Sequence, residues 1–266
     1  MLARARALAA ILLGTGALVT LAIGFVPTAY RWPARLGLLF ALPLAASIAA
    51  TLLLPRESGR QGASVRIAGT ARFHPILLAA IVLDLLPFGA GALLGWVDLT
   101  WVDPPQLPRR LLAVALALPL TIAAATLGSE WALRARLWEV LARAGRPREA
   151  ALLSCAAGVL LALPAVTPGF AVASAPFVAA ALATALAREA TALVLFRRGG
   201  LFVTGAWRGT LVALEAFALG DAYAYWSPLA RAFANGAPFY LLRLAGPVAA
   251  LILVVAASRR APQVGP

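Results

Sequence analysis

The sequence predicts an all-α fold: a polytopic transmembrane helix bundle of about eight spans with both termini cytoplasmic. Three observations carry this. Hydrophobic residues make up 62% of the 266 residues and charged residues only 12%, too little polar surface to keep a chain of this size dissolved, so the excess apolar surface must face lipid. Eight apolar stretches reach or approach the length a helix needs to cross a bilayer, about 20 residues. The arginines between those stretches alternate in density from one connection to the next, as they do when successive loops lie on opposite sides of a membrane.

Taken in order, the first span is 7–26 and follows Arg4 and Arg6. It is long for the apolar core of a secretory signal, and no clean A-x-A site follows, so it reads as an uncleaved span. Spans two to four cover 36–54, 75–97 and 111–137. Between the second and third lies the longest inner connection, 55–73, whose Gly59, Gly62 and Gly69 mark a flexible connector. Gly91 and Gly95 place a GxxxG on the third span, the pattern of close helix packing. Spans five to eight cover 150–166, 175–196, 201–219 and 238–258, the fifth being shortest and broken by Pro164 and Pro168.

With the N-terminus cytoplasmic, fifteen arginines fall on the inner side: Arg4, Arg6, Arg56, Arg60, Arg66, Arg72, Arg134, Arg136, Arg143, Arg146, Arg148, Arg197, Arg198, Arg259 and Arg260. Five fall outside: Arg31, Arg35, Arg109, Arg110 and Arg231. That excess sets parity and orientation together, and points to the plasma (inner) membrane. The outer connections carry aromatic anchors for a membrane interface: Tyr30 and Trp32, Trp96 and Trp101, Tyr225 and Trp226.

Composition also excludes function classes. The net charge of +13 and isoelectric point near 11.6 are those of a nucleic-acid binder. The arginines sit at span ends instead of on one face, so topology explains them and no nucleic-acid partner is expected. One cysteine, Cys155, excludes disulfides, haem attachment and CxxC metal sites. A single histidine, His74, excludes a multi-histidine zinc site, so no cofactor is expected. Ser154 and Cys155 have no nearby histidine to activate them and read as helix-packing residues, while Gly199 and Gly200 lack the strand and lysine of a phosphate loop.

Ionisable side chains inside spans are costly, and they mark function or pairing. They are Asp84, Glu130, Arg134, Arg188, Glu189, Arg208, Glu215 and Arg243. Pairing between helices is the ordinary role for any one of them, and it is the role assigned to Asp84 and Arg243. Glu130 and Arg134, spaced i, i+4, share a face of the fourth span. Arg208 and Glu215, spaced i, i+7, share a face of the seventh, so the geometry allows one polar cavity lined by all four.

The segment Gly128-Ser129-Glu130-Trp131-Ala132-Leu133-Arg134 resembles the first motif, E-E-x-x-x-R, of the CAAX-protease and bacteriocin-processing (CPBP, or Abi) intramembrane endopeptidases. Ser129 stands for the first glutamate, and Glu130 and Arg134 for the second glutamate and the arginine. The run 145–154 is similar to the approach to the family's second motif, F-x-x-x-H, whose positions here hold Gly158 and Ala162. The run 195–202 is similar to the lead into its last motif, H-x-x-x-N, whose positions here hold Arg208 and Val212. The resemblance divides the chain into three parts. Residues 1–110 carry the first three helices, 111–219 a core like the family's, and 220–266 an outer loop, the eighth helix and a cytoplasmic tail.

In that family the first-motif glutamate activates a water, and the histidines and asparagine hold the water or stabilise the oxyanion. The resemblance therefore implies Glu130 as base, Arg134 as its partner, Arg208 at a histidine position, and Glu215 on the same helix face. Both histidines are missing, and a guanidinium at Arg208 neither accepts a proton nor binds a metal; it can pair with Glu130 or with Glu215. The expectation is a catalytically impaired or non-catalytic homologue that binds membrane lipids and a membrane-embedded or lipidated peptide or protein. Two alternatives stay open: an active peptidase using Glu130 with Arg208 as oxyanion stabiliser, and a transporter or lipid-handling protein with its charged pairs along a substrate path.

Overall fold

A computed structural model describes residues 1–26, 28–54, 74–101, 103–166, 175–215, 219–221, 230–234 and 237–260. Among them the chain is helical almost throughout. α1 (Leu2–Phe25) and α2 (Thr28–Leu53) are followed by α3 (His74–Leu93), and α4 (Leu107–Ala124) runs on without a break through a π-helical stretch, Ala125–Trp138, into α5 (Glu139–Arg143). α6 (Pro147–Val166), α7 (Ala175–Ala213) and α8 (Ala237–Arg260) complete the set. Among the described residues four continuous helical stretches are long and apolar enough to cross a membrane: Leu2–Ala22, Pro75–Leu93, Pro104–Arg143 and Val178–Ala213. Leucines 18, 52, 120, 127 and 152 lie exposed around the outside. A soluble protein does not present so continuous an apolar exterior; this is a membrane protein.

α7 is two rods. Gly200 has φ +85° and ψ −174°, a conformation open to glycine and far from helical. Arg208 reaches Glu189, 19 residues earlier, and Arg188 reaches Glu215, 27 residues later. In one straight helix those pairs would stand about 28 and 40 Å apart, so the chain folds back at Gly200. Residues 175–199 and 201–213 are antiparallel arms of a hairpin.

Among the described residues apolar packing forms two large centres, beside a small one at Val159 and Ala185. One joins α1, α2, the π stretch, α5 and α6 through Leu8, Leu42, Leu133, Leu137 and Leu161. The other joins α3, both arms of α7, and α8 through Ile81, Leu195, Trp207, Leu211 and Val254. Where the two meet, small residues let backbones touch. A Cβ on Gly205 would collide with Thr126, and one on Gly209 with the backbone at Thr121 and Ile122.

The expected all-α class holds, and the structure departs from the sequence expectation in its details. A small sheet accompanies the helices: β1 (Val97–Trp101) pairs antiparallel with β3 (Ala230–Ala234), and β2 (Leu219–Asp221) pairs parallel with β3. These strands are three to five residues long and pair with segments far away in sequence, so no local periodicity announces them. The third span stops at Leu93, short of 97, and Leu219, the expected end of the seventh, lies in β2. Tyr30, Arg31, Trp32 and Arg35 belong to α2 instead of a loop, because a helix continues past the apolar run into the polar interface. Pro164 leaves α6 unbroken to Val166. The connector 55–73, Pro168, and the anchors Tyr225 and Trp226 lie outside the described residues.

Candidate functional site

The π-helical stretch carries Glu130 and Arg134 inward from the end of α4. Hydroxyls upstream back-bond along this helix, Thr121 to the Ala117 carbonyl at 3.0 Å and Thr126 to the Ile122 carbonyl at 2.7 Å. Such bonds compete with the regular backbone ladder. Glu130 and Arg134 are both 0% exposed.

Around them closes a quartet of two acids and two arginines. Arg208, from the second arm of α7, donates from Nη1 to Glu130 Oε1 at 2.5 Å and from Nη2 to Glu189 Oε1. Arg134 donates from Nη2 to Glu189 Oε2 at 2.6 Å and to the Glu189 carbonyl at 3.2 Å. Its Nε stands 3.5 Å from Glu130 Oε2. Arg134 Nη1 also donates to Ser154, whose hydroxyl donates in turn to the Leu133 carbonyl at 3.2 Å. The quartet therefore joins the π stretch, α6 and both arms of α7, at the seam between the two apolar centres. A buried charge is tolerated only where it is paired and hydrogen bonded, and here each acid faces both guanidinium groups.

Glycine makes room for this arrangement. A Cβ on Gly158 would fall onto the Glu189 carboxylate, closer than any real contact. Gly158 and Arg208 stand at two of the positions where the resembled motifs carry Phe and His, and both take part in holding Glu189.

Glu215 does not join Glu130; it belongs to a second quartet with Asp84, Arg188 and Arg243. Arg188 Nε donates to both Asp84 oxygens at 3.1 Å, and its Nη1 and Nη2 reach Glu215 at 2.9 and 2.6 Å. Arg243 Nη2 donates to Glu215 Oε1 at 3.0 Å and lies 5.4 Å from the Phe88 ring centroid. Arg208 and Glu215 do share a face, but seven residues separate them by about 10 Å along the axis. Each therefore meets a different partner on the first arm, Glu189 or Arg188.

Glu189, by sequence one of several ordinary intramembrane charges, is thus central. A signal for it existed. Gly199 and Gly200 between two apolar runs, beside Arg197 and Arg198, mark a turn, and a hairpin about that turn puts Glu189 near the depth of Arg208. Ser154, read as a packing residue, is a hydrogen-bonding member of the site. Among the described residues no group of His, Cys, Asp and Glu has the arrangement to hold a metal ion.

Chemically, the site offers Glu130 little freedom as a base. One oxygen accepts from Arg208, the other faces Arg134, and the side chain has no exposed surface. General-base catalysis needs a carboxylate within reach of a water or substrate proton. Comparison with known proteins finds no matching family, no matching curated protein and no matching solved structure.

Proposed function

We propose that this chain is a multi-pass inner-membrane protein of eight spans with both ends cytoplasmic. In this reading it is a non-hydrolytic relative of the CPBP intramembrane endopeptidases that binds a membrane-embedded or lipidated peptide or protein. The observation that carries the non-hydrolytic reading is the closure of Glu130 between Arg208 and Arg134 at 0% exposure. Where the resembled family keeps a base and histidines, this chain has a neutral ion-pair knot pinning three helices.

The eight-span reading draws support from the hairpin at Gly200, which makes two rods of α7. It also draws on the clustering of arginines. The Arg6–Glu149 bond at 2.8 Å joins the start of α1 to the start of α6, and the Trp138–Phe196 ring contact at 6.0 Å brings the α7 turn to the same end. That end holds Arg4, Arg6, Arg136, Arg143, Arg146, Arg148, Arg197 and Arg198, and the positive-inside rule makes it cytoplasmic.

The chemistry is tested by offering purified protein prenylated and leader-peptide substrates. No turnover is expected, and cleavage that vanishes in Glu130→Gln would overturn the proposal. Topology is tested by replacing Cys155 and labelling single cysteines placed at 3, 144, 197 and 262 from outside intact cells. All four should be protected, and labelling of any one refutes the span count. A transport reading draws on the Asp84–Arg188–Glu215–Arg243 quartet, because intramembrane charge pairs can line a substrate path. Its test is flux in proteoliposomes that Arg188→Gln abolishes.

A further inference from the structure

The acids and arginines of the two knots are paired with one another, but the arginine-rich end of the bundle has charge to spare. α5 ends at Arg143 and α6 starts at Pro147. The reversal between them is made at Gly145, whose φ of +75° favours glycine. The short turn leaves an open concavity of about 410 Å³ lined by Gly145, Arg146, Pro147, Arg148 and Glu149.

Glu149 anchors the neighbourhood. It accepts from Arg6 Nε at 2.8 Å and Nη2 at 3.2 Å, and from Arg146 Nη1 at 3.1 Å. Arg143 is bonded to Glu139 one turn back. Arg4, Arg6, Arg143, Arg146 and Arg148 against Glu139 and Glu149 leave a net charge of +3 on this patch. The arginine side chains remain accessible: Arg6 is 48%, Arg143 52% and Arg146 50% exposed.

We propose that this patch, the α5–α6 turn with the start of α1, binds the phosphate-bearing headgroup of an anionic phospholipid. The inference rests on the reading that this end of the bundle lies at the cytoplasmic membrane face. There, anionic headgroups are the abundant counter-charge, and arginine forks match phosphate oxygens. The concavity opens among first-turn residues of α6, where the positive end of a 20-residue helix adds to the side-chain charge. The Arg6–Glu149 bond fixes α1 against this turn, so a headgroup would bridge the first and sixth helices.

The test uses full-length protein in a neutral detergent, with lipid retention read by native mass spectrometry. Phosphatidylglycerol and phosphatidylcholine of matched chain length are the probes, and inorganic phosphate is the competitor. Wild type should retain phosphatidylglycerol at least tenfold more strongly than phosphatidylcholine. The triple substitution Arg143→Gln, Arg146→Gln, Arg148→Gln should remove that preference, a loss of at least about tenfold at the usual contribution of an interfacial arginine. Replacing the same three by Lys should restore most of it, and Arg109→Gln with Arg110→Gln, at the other end of α4, should leave it intact.

Equal retention of the two lipids by wild type overturns the proposal. So does a triple variant that keeps the preference, or loss of the preference in the Arg109/Arg110 variant, which would make the effect one of net charge. Displacement of lipid by equimolar inorganic phosphate would convert the site into one for a free anion. Because the measurement is made in detergent, it fails or succeeds independently of cysteine labelling, which tests the topology.

Discussion

Substituting Glu189→Gln tests the idea that the seam is held by charge balance. In the wild-type quartet two carboxylates face two guanidinium groups, and Glu189 contacts both Arg134, at 2.6 Å, and Arg208. An amide in its place keeps the shape but leaves a single buried positive charge in excess, among groups that are 0 to 14% exposed. Breaking a buried pair from one side costs about 3–5 kcal/mol, most of it from the charge left behind. Arg208→Gln alone unbalances the quartet in the opposite direction. The double substitution is neutral again, with Glu130 and Arg134 left to face each other. It should therefore lose less stability than the two single losses added, by roughly 1–3 kcal/mol. The assay is unfolding in mixed micelles against the mole fraction of sodium dodecyl sulfate, followed by tryptophan fluorescence, for all four members of the cycle. Strict additivity, within about 0.5 kcal/mol, would refute the reasoning, because it would mean that Glu189 and Arg208 contribute only as packing volumes.

Gly158→Ala places a methyl on the Glu189 carboxylate and should destabilise the protein about as much as Glu189→Gln, while adding Glu189→Ala should relieve the clash and bring the double variant below the sum of the singles in the same assay. In the second quartet Arg188 bridges Asp84 and Glu215, whereas Arg243 makes one bond to Glu215 at 3.0 Å; Arg188→Gln should therefore cost more than Arg243→Gln, and the reverse order in the micelle assay would contradict the bridging role. Hydrogen bonds from Arg6 hold the Glu149 carboxyl below its ordinary value of 4.5. With the folded pKa below the unfolded one, its stabilisation is complete above pH 4.5 and is lost as pH falls through the folded pKa. Glu149→Gln should flatten the stability–pH curve in that acidic window, and an unchanged curve would show that the Arg6–Glu149 bond contributes nothing.

The pairings inside the bundle were only partly legible. Glu130 and Arg134 are near neighbours in sequence, so helical spacing alone puts them together, and the structure keeps them within 3.5 Å. Arg208 was identified as an unusual intramembrane charge, and it does reach Glu130. Its neighbour on the same face, Glu215, does not, because helical spacing reports direction around an axis but says nothing about which helix stands opposite at a given depth. Glu189 was passed over for the same reason. Its partners come from two other rods, and only the reversal at Gly200 and the empty space at Gly158 bring them within reach. The small sheet was illegible from the start, since Val97 and Ala234 are brought together by the ends of the bundle and not by any local pattern.

The sequence by itself determined that this is a helical membrane protein and where most of its helices run, because hydropathy and helix length are properties of consecutive residues. It also bounded the chemistry: with one histidine and one cysteine, the ionisable material of the interior is arginine and carboxylate. Which acid meets which arginine was decided only by the tertiary structure. An ion pair between helices depends on rotation, depth and the absence of a Cβ in the way, and those are settled when the rods pack, at Gly158, Gly200, Gly205 and Gly209.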